Sequence, residues 1–338
     1  MLTLDIRTER WPFNEPFRIA GHVIADAAVV HVALTQGGVT GEGEASGVFY
    51  RSEIPESIAA QIESVRPAIE AGLTRDALRD VLPAGGARNA IDCALWDIES
   101  KRTGRSAWEI AGLPAADTIA TTFTIGADTP EKMAAVAHGY GIAPRLKVKL
   151  TGAGDVERLT AIRDARPDAW ISVDANQGYT RAGLEALLPV LQVLDIAMIE
   201  QPLPAGRDAD LDGLNSPIPL AADESVQTLA DVAGARGRFE FVNIKLDKCG
   251  GLTEALLMVD AIRAAGMRPM VGCMAGTSRA MIPGALLGQL CDIVDMDGAM
   301  FLARDSAPSV LYHNGVLTLP RQGWGQPLPY NKRTESRS

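Results

Sequence analysis

Leu146-Lys-Val-Lys-Leu150, Trp170-Ile-Ser-Val-Asp174 and Ile196-Ala-Met-Ile-Glu200 are three short apolar runs that carry charge at or near their C-terminal ends. Five more runs of the same kind surround them, at 121–125, 219–223, 241–245, 268–272 and 293–297. Successive ends fall about 22 to 27 residues apart, the length of one strand plus one helix, and a helix-like stretch follows each run. Eight such units predict the α/β class and a modified (β/α)8 TIM barrel over residues 121–310. A doubly wound sheet also alternates strand with helix, but it seldom keeps so even a spacing through eight units.

Ahead of the barrel, residues 1–120 read as an α+β domain. Residues 2–10, 28–34 and 39–44 have strand character, with Gln36-Gly-Gly38 as the turn before the third. Residues 52–71 and 87–101 place apolar side chains at helical spacing, through Ile58, Ile62, Val65 and Ile69 and then Ile91, Leu95, Trp96 and Ile98. After the barrel comes a segment rich in Gly and Pro, 311–338, ending in a polar tail expected to be solvated. A length of 338 residues suits this plan, and 47% hydrophobic with 22% charged residues is a globular composition. A net charge of −10 without a basic patch argues against nucleic acid as a partner. The chain start lacks a basic, apolar leader and no run of 18 apolar residues occurs, so no membrane partner is expected. The same missing leader predicts a cytoplasmic location, and Cys93, Cys249, Cys273 and Cys291, widely spaced with no Cys-x-x-Cys pair, predict reduced thiols.

The polar residues on the eight runs carry the chemistry. Lys147 and Lys149 lie on the second, Asp174 ends the third, Glu200 the fourth, Asp223 the fifth and Lys245 the sixth, while Asp295 and Asp297 end the eighth. In a barrel these ends share one face, where catalytic groups converge. A single charge at a strand end is an ordinary surface residue; charges at six ends of eight are not explained that way. Asp174, Glu200 and Asp223 come from adjacent strands and offer only oxygen, a donor set for one Mg²⁺ rather than Zn²⁺. The alternative, that they cap the following helices, suits an Asp better than Glu200. Lys149 and Lys245 lie on strands two and six, on opposite sides of an eight-membered ring. A lysine near a cation and a second ammonium can have its pKa lowered enough to act as a general base. Two opposed lysines can take a proton from one face of a carbon and return one to the other, the work of a racemase or epimerase. Either lysine alone reads equally as a surface or phosphate-binding cation. Enolase-type sites use the same parts, a Lys or His base with Mg²⁺ at an ene-diolate.

With these residues in place the chain resembles the enolase superfamily, its muconate lactonizing subgroup, and within that the dipeptide epimerases of the L-Ala-D/L-Glu type. The resemblance runs over nearly the whole chain. It is most specific at Lys147-Val-Lys149, Val173-Asp-Ala-Asn176, Glu200-Gln-Pro-Leu-Pro204, Ala222-Asp-Glu-Ser225, Asn243-Ile-Lys-Leu-Asp-Lys-Cys-Gly-Gly-Leu-Thr253, Gly272-Cys-Met274 and Asp295-Met-Asp297. It implies that Asp174, Glu200 and Asp223 bind Mg²⁺, that Lys149 and Lys245 are the acid/base pair, and that Lys147 assists at the substrate carboxylate. It further implies that Asp295 and Asp297 hold the ammonium of a small dipeptide, with Cys273, Met274 and Thr122 beside the substrate, and that the protein forms a homo-oligomer. Residues 1–120 become a capping domain with specificity loops near 16–25 and 46–54, and 311–338 a segment returning towards it.

One departure concerns substrate choice. Similar epimerases follow the Ile-Ala step of the first loop with an arginine for the substrate's side-chain carboxylate, whereas here Gly21-His22 stands in that place. His22 or Arg51, or else Arg18, is then the candidate for that contact, although a neutral histidine is no bidentate clamp and both arginines also read as solvated surface residues. Two alternatives stay open: a muconate cycloisomerase or o-succinylbenzoate synthase working through the same ene-diolate, and a non-catalytic ligand-binding barrel.

Overall fold

A computed structural model describes residues 2–19 and 22–328, with backbone alone at Ile19 and His22. Alternating residues in the first third build an antiparallel sheet of β1 (Thr3–Ile19), β2 (His22–Gln36) and β3 (Val39–Ala45). Gly37 and Gly38 both take positive φ in the turn between β2 and β3, as a two-residue hairpin loop requires. One face of β2, through Val30, Val32 and Leu34, packs against Ala90, Ile91, Ala94 and Ile98 of the helix Gly86–Thr103. That helix approaches β3 so closely that a Cβ at Gly41 or Gly43 would run into the backbone of Ala94 and Ala90.

Two expectations for this part are corrected. The first two strands are longer than expected, so the loop expected at 16–25 is the end of one β-hairpin, paired out to Ile19 and His22 and kinked where the register shifts between Pro12 and Phe17. The helix expected over 52–71 is two, Pro55–Ser64 and Arg66–Glu70, broken at Val65, two residues before Pro67, which has no N–H to continue the ladder.

After the short β4 (Thr118–Ala120) come eight parallel strands: β5 (Phe123–Ile125), β6 (Arg145–Lys149), β7 (Trp170–Asp174), β8 (Ile196–Glu200), β9 (Leu220–Ala222), β10 (Phe241–Lys245), β11 (Arg268–Gly272) and β12 (Ile293–Asp295). Neighbours pair in sequence order from β5 to β12. The seam between β12 and β5 closes through Thr122 N–H to the Val294 carbonyl at 2.9 Å. The period of two along each strand explains where the charges go. Met198, Ala221, Phe241, Met270 and Ile293 form one buried cluster, and residues two and four positions further along the same faces include Asn243, Lys245, Glu200, Asp223 and Asp295. Apolar side chains thus fill the N-terminal end of the barrel and polar ones gather at the other.

The expected helix is missing in two of the eight units. Between β8 and β9 only the turn Asp208–Leu211 is helical, because Pro202, Pro204, Gly206, Gly213, Pro217 and Pro219 interrupt the segment. After β12 only Gly298–Phe301 forms a turn, and β13 (Leu311–His313) then pairs with β14 (Val316–Thr318), which in turn pairs with β4. The chain next reaches the helix Gly86–Thr103, where Trp324 Nε1 donates to the Cys93 carbonyl at 3.0 Å and Gly325 N–H to Asp97 Oδ1 at 2.8 Å. The tail expected to be solvated, 329–338, lies outside the described residues. No helix among the described residues is long and apolar enough to cross a membrane.

Candidate active site

The C-terminal strand ends open into a cavity of about 380 Å³ whose other wall belongs to the N-terminal domain. Lys147, Lys149, Asp223, Lys245, Asp295 and Asp297 line the barrel side, and Phe13, Phe17, Ile24, Phe49, Tyr50 and Ile54 line the other.

Asp174, Glu200 and Asp223 are buried, with one carboxylate oxygen of each lying within 4.8 Å of the others. Ammonium groups surround them. Lys147 Nζ stands 2.7 Å from Glu200 Oε2, 2.8 Å from Asp295 Oδ2 and 3.1 Å from Asp174 Oδ2. Lys149 Nζ meets Asp174 Oδ2 at 2.6 Å, and Lys245 Nζ meets Asp223 Oδ2 at 2.7 Å from across the ring. Asn243 donates to Glu200 Oε1 at 2.8 Å, whereas Glu200 Oε2 accepts no well-formed hydrogen bond. An all-oxygen donor set with a buried lone pair left over fits a hard divalent cation.

Burial, and after it the neighbouring Asp174 charge, push Glu200 up to about 7. Burial acts on Asp174 in the same direction, but Lys149 and Lys147 outweigh it and hold that group at about 2. Burial opposes the charge of Lys245 as well, yet Asp223 keeps it well above the ordinary lysine range. Lys147 is held high in the same way, against burial, by Asp295, Glu200 and Asp174.

The eighth-strand acids are both buried and differ in their partners. Asp295 accepts from Thr122 Oγ1 at 2.5 Å and pairs with Lys147. Asp297 Oδ2 accepts from Thr124 N–H at 2.6 Å, and burial followed by the Asp295 charge pushes Asp297 up to about 7.

Cys273 and Met274 line the cavity. Two other residues do not. Thr122 is buried at the seam with its hydroxyl spent on Asp295; Thr124, in register with Lys147, lines the cavity instead. Arg51 donates to the carbonyls of Ala84 at 2.9 Å and Lys248 at 3.3 Å, which fixes the N-terminal domain to the barrel and keeps the guanidinium out of the lining. Arg18 faces Asp128 at 3.4 Å. Gly21 and the side chain of His22 lie outside the described residues.

Further residues support the site. Lys248 is buried against Asp223 at 2.7 Å. Gln201, at φ 37°, uses Oε1 to accept from the Asp223 and Ser225 N–H groups, tying the ends of β8 and β9. Asn243 was legible from the period of two, since it sits on the same face as Lys245. Tyr50, on the wall opposite the barrel, had no such signal; its hydroxyl accepts from Gln227 at 3.3 Å.

Comparison with known proteins agrees with this geometry. Residues 1–112 match the mandelate racemase/muconate lactonizing enzyme N-terminal domain, and residues 128–328 match the enolase C-terminal domain-like family. The chain is 43% identical over 321 residues to the L-Ala-D/L-Glu epimerase of Escherichia coli K12, covering 94% of this chain and 100% of that one. A structure of an Agrobacterium tumefaciens enolase family member with bound sodium and L-Ala-L-Glu superposes with a TM-score of 0.92 at 41% identity, covering 95% of this chain and 98% of that one. The dipeptide epimerase of Methylococcus capsulatus, complexed with Mg and L-Arg-D-Lys, gives a TM-score of 0.84 at 32% identity over 94% and 96% of the two chains. This chain belongs to the mandelate racemase/muconate lactonizing enzyme family of the enolase superfamily, as an isomerase of the racemase and epimerase kind.

Proposed function

We propose that this chain is a Mg²⁺-dependent dipeptide epimerase that inverts the α-carbon of the C-terminal residue by 1,1-proton transfer. The observation that carries the reading is the placement of Lys149 and Lys245 on β6 and β10, opposite strands of the ring, both lining one cavity with the carboxylate triad on the strands between.

Asp174, Glu200 and Asp223 would hold the cation, one per site, and it would supply positive charge at the substrate carboxylate. Lys147, already between three carboxylates, assists at the substrate carboxylate. One of the opposed lysines removes the α-proton and the other delivers a proton to the far face. Asp295 and Asp297 take the substrate ammonium, so that binding energy away from the reacting carbon orients it. A cycloisomerase substrate has no ammonium to match two buried acids at this end. The four free cysteines suit a reducing, cytoplasmic setting. Homo-oligomerisation belongs to the same reading and is checked by light scattering.

The test is incubation of L,L-dipeptide pools with the protein and Mg²⁺ in D₂O. Each substrate is expected to gain one deuterium at the α-carbon of its C-terminal residue and to yield its epimer. Chelation should stop the exchange, and N-acetylated dipeptides should not exchange. Silence in every pool with metal bound would overturn the reading in favour of a cycloisomerase.

A further inference from the structure

Lys248 is a buried charge to which the proton transfers assign no task. It lies on the short helix Leu246–Cys249 just after Lys245, its side chain is 1% exposed, and it is absent from the cavity lining. Its ammonium meets four acceptors: Asp223 Oδ1 at 2.7 Å, the Asp223 carbonyl at 2.5 Å, and the carbonyls of Val226 and Asn243 at 2.9 Å each. A lysine has three N–H donors, so all of them are engaged. A buried ammonium is tolerated only when its charge is paired and its hydrogens are accepted, and both conditions are met here.

The arrangement acts on Asp223 in two ways. Its carboxylate oxygens are divided between two lysines, Oδ1 facing Lys248 and Oδ2 facing Lys245. The same Lys248 nitrogen that holds Oδ1 also holds the Asp223 main-chain carbonyl, so both ends of the side-chain torsion are tied to one point. Through the Asn243 and Val226 carbonyls that point is fixed to β10 and to the turn after β9.

We propose that Lys248 is a positioning residue of the metal centre, fixing the rotamer of Asp223 and the turn 223–226 so that this carboxylate meets a cation together with Asp174 and Glu200. The inference rests on the metal role given to those three residues under the proposed function. Removing Lys248 has two opposed consequences. It takes away a positive charge, which by Coulomb's law favours a cation. It also strips three converging backbone carbonyls of their shared donor, so that the turn relaxes and carries the carboxylate with it. Because the ammonium holds main chain and side chain at once, the loss of geometry outweighs the change in charge.

The two consequences have opposite signs, which makes the test direct. Metal affinity is measured by Mn²⁺ electron paramagnetic resonance with Mg²⁺ competition on folded Lys248→Met, and Tm is recorded without metal. The expected result is a metal Kd raised at least fivefold, a floor set just below the roughly ten- to hundredfold cost typical when an outer partner of a metal ligand is lost. A Kd raised less than fivefold, unchanged or lowered in folded protein overturns the proposal, whatever happens to Tm, and leaves Lys248 as a staple of the barrel. Should Lys248→Met not fold, Lys248→Gln, whose side chain is one atom shorter, draws the donor back from all four acceptors, and the same limits apply. Asp174→Asn serves as the control: wild-type Mn²⁺ affinity in that variant would overturn the metal reading itself.

Discussion

The two walls of the cavity are built on different terms. The barrel wall consists of buried charges at strand ends, joined by ion pairs of 2.6 to 3.1 Å and braced from behind by Asn243, Gln201 and Lys248. The opposite wall is mostly apolar, comes from one hairpin and one loop, and leaves Val23 65% and Ile54 54% exposed. Proton transfer needs reacting groups held closely in place, which strands with a second layer of support provide. Selection among side chains tolerates looser walls, and loops supply those. The two walls are joined by a few fixed points: Asp247 accepts from Ser46 and Gly47 N–H, and Glu44 at the end of β3 accepts from the Thr277 main chain and hydroxyl.

The largest effect that sharpens this contrast comes from the barrel wall. Lys245→Ala should lower epimerisation about 10²- to 10⁴-fold in both directions while α-deuterium exchange survives with one epimer, the one served by Lys149. Lys149→Ala should preserve exchange with the other. Retention of exchange with the same epimer in both variants would break the assignment of opposite faces.

The junction between the walls gives a smaller effect, read as stability. Burial pushes Glu44 up to about 7, against the bonds from Thr277, while the ordinary glutamate value is 4.5. The folded chain therefore binds this proton more tightly than the unfolded one. The resulting stability is complete below pH 4.5 and is lost as pH rises through 7, a change of order 3 kcal/mol at most. Glu44→Gln is neutral throughout, so the wild type's Tm relative to this variant should fall between pH 5 and pH 8. A Tm difference independent of pH would contradict it.

The apolar wall should show the least. Phe17 packs against Phe301 with the rings tilted at 48° and their centroids 4.7 Å apart. Phe17→Ala removes part of an apolar side chain's burial, and the expected outcome is a KM raised about three- to tenfold with kcat nearly unchanged. A fall in kcat at constant KM would mean that the hairpin takes part in the chemistry and that the two walls are not separate.

What was legible in the sequence follows the same division. Strand ends were readable because a period of two assigns each residue to a face, and an inward face that turns from apolar to charged within five residues marks the rim of a site. The missing helix after β8 was not, because its segment has the length of a strand-to-helix unit and its prolines and glycines reveal the difference only when counted against that length. The place of Arg51 is not legible because its hydrogen-bond acceptors are backbone carbonyls, which every residue carries and no pattern marks. Thr122 and Thr124 are told apart only by register, which sets Thr124 opposite Lys147 and on its face.

The seam of the barrel has a further consequence. Strands β12 and β5 meet where Asp295 and Asp297 accept bonds from Thr122 and Thr124, so the acids proposed to recognise the substrate's amino group also hold the ring shut. A lineage or an engineer moving this scaffold towards substrates without that amino group is not free simply to delete the acids. Each replacement must go on accepting a hydrogen bond across the gap, which favours asparagine over alanine and restricts the routes by which specificity can drift.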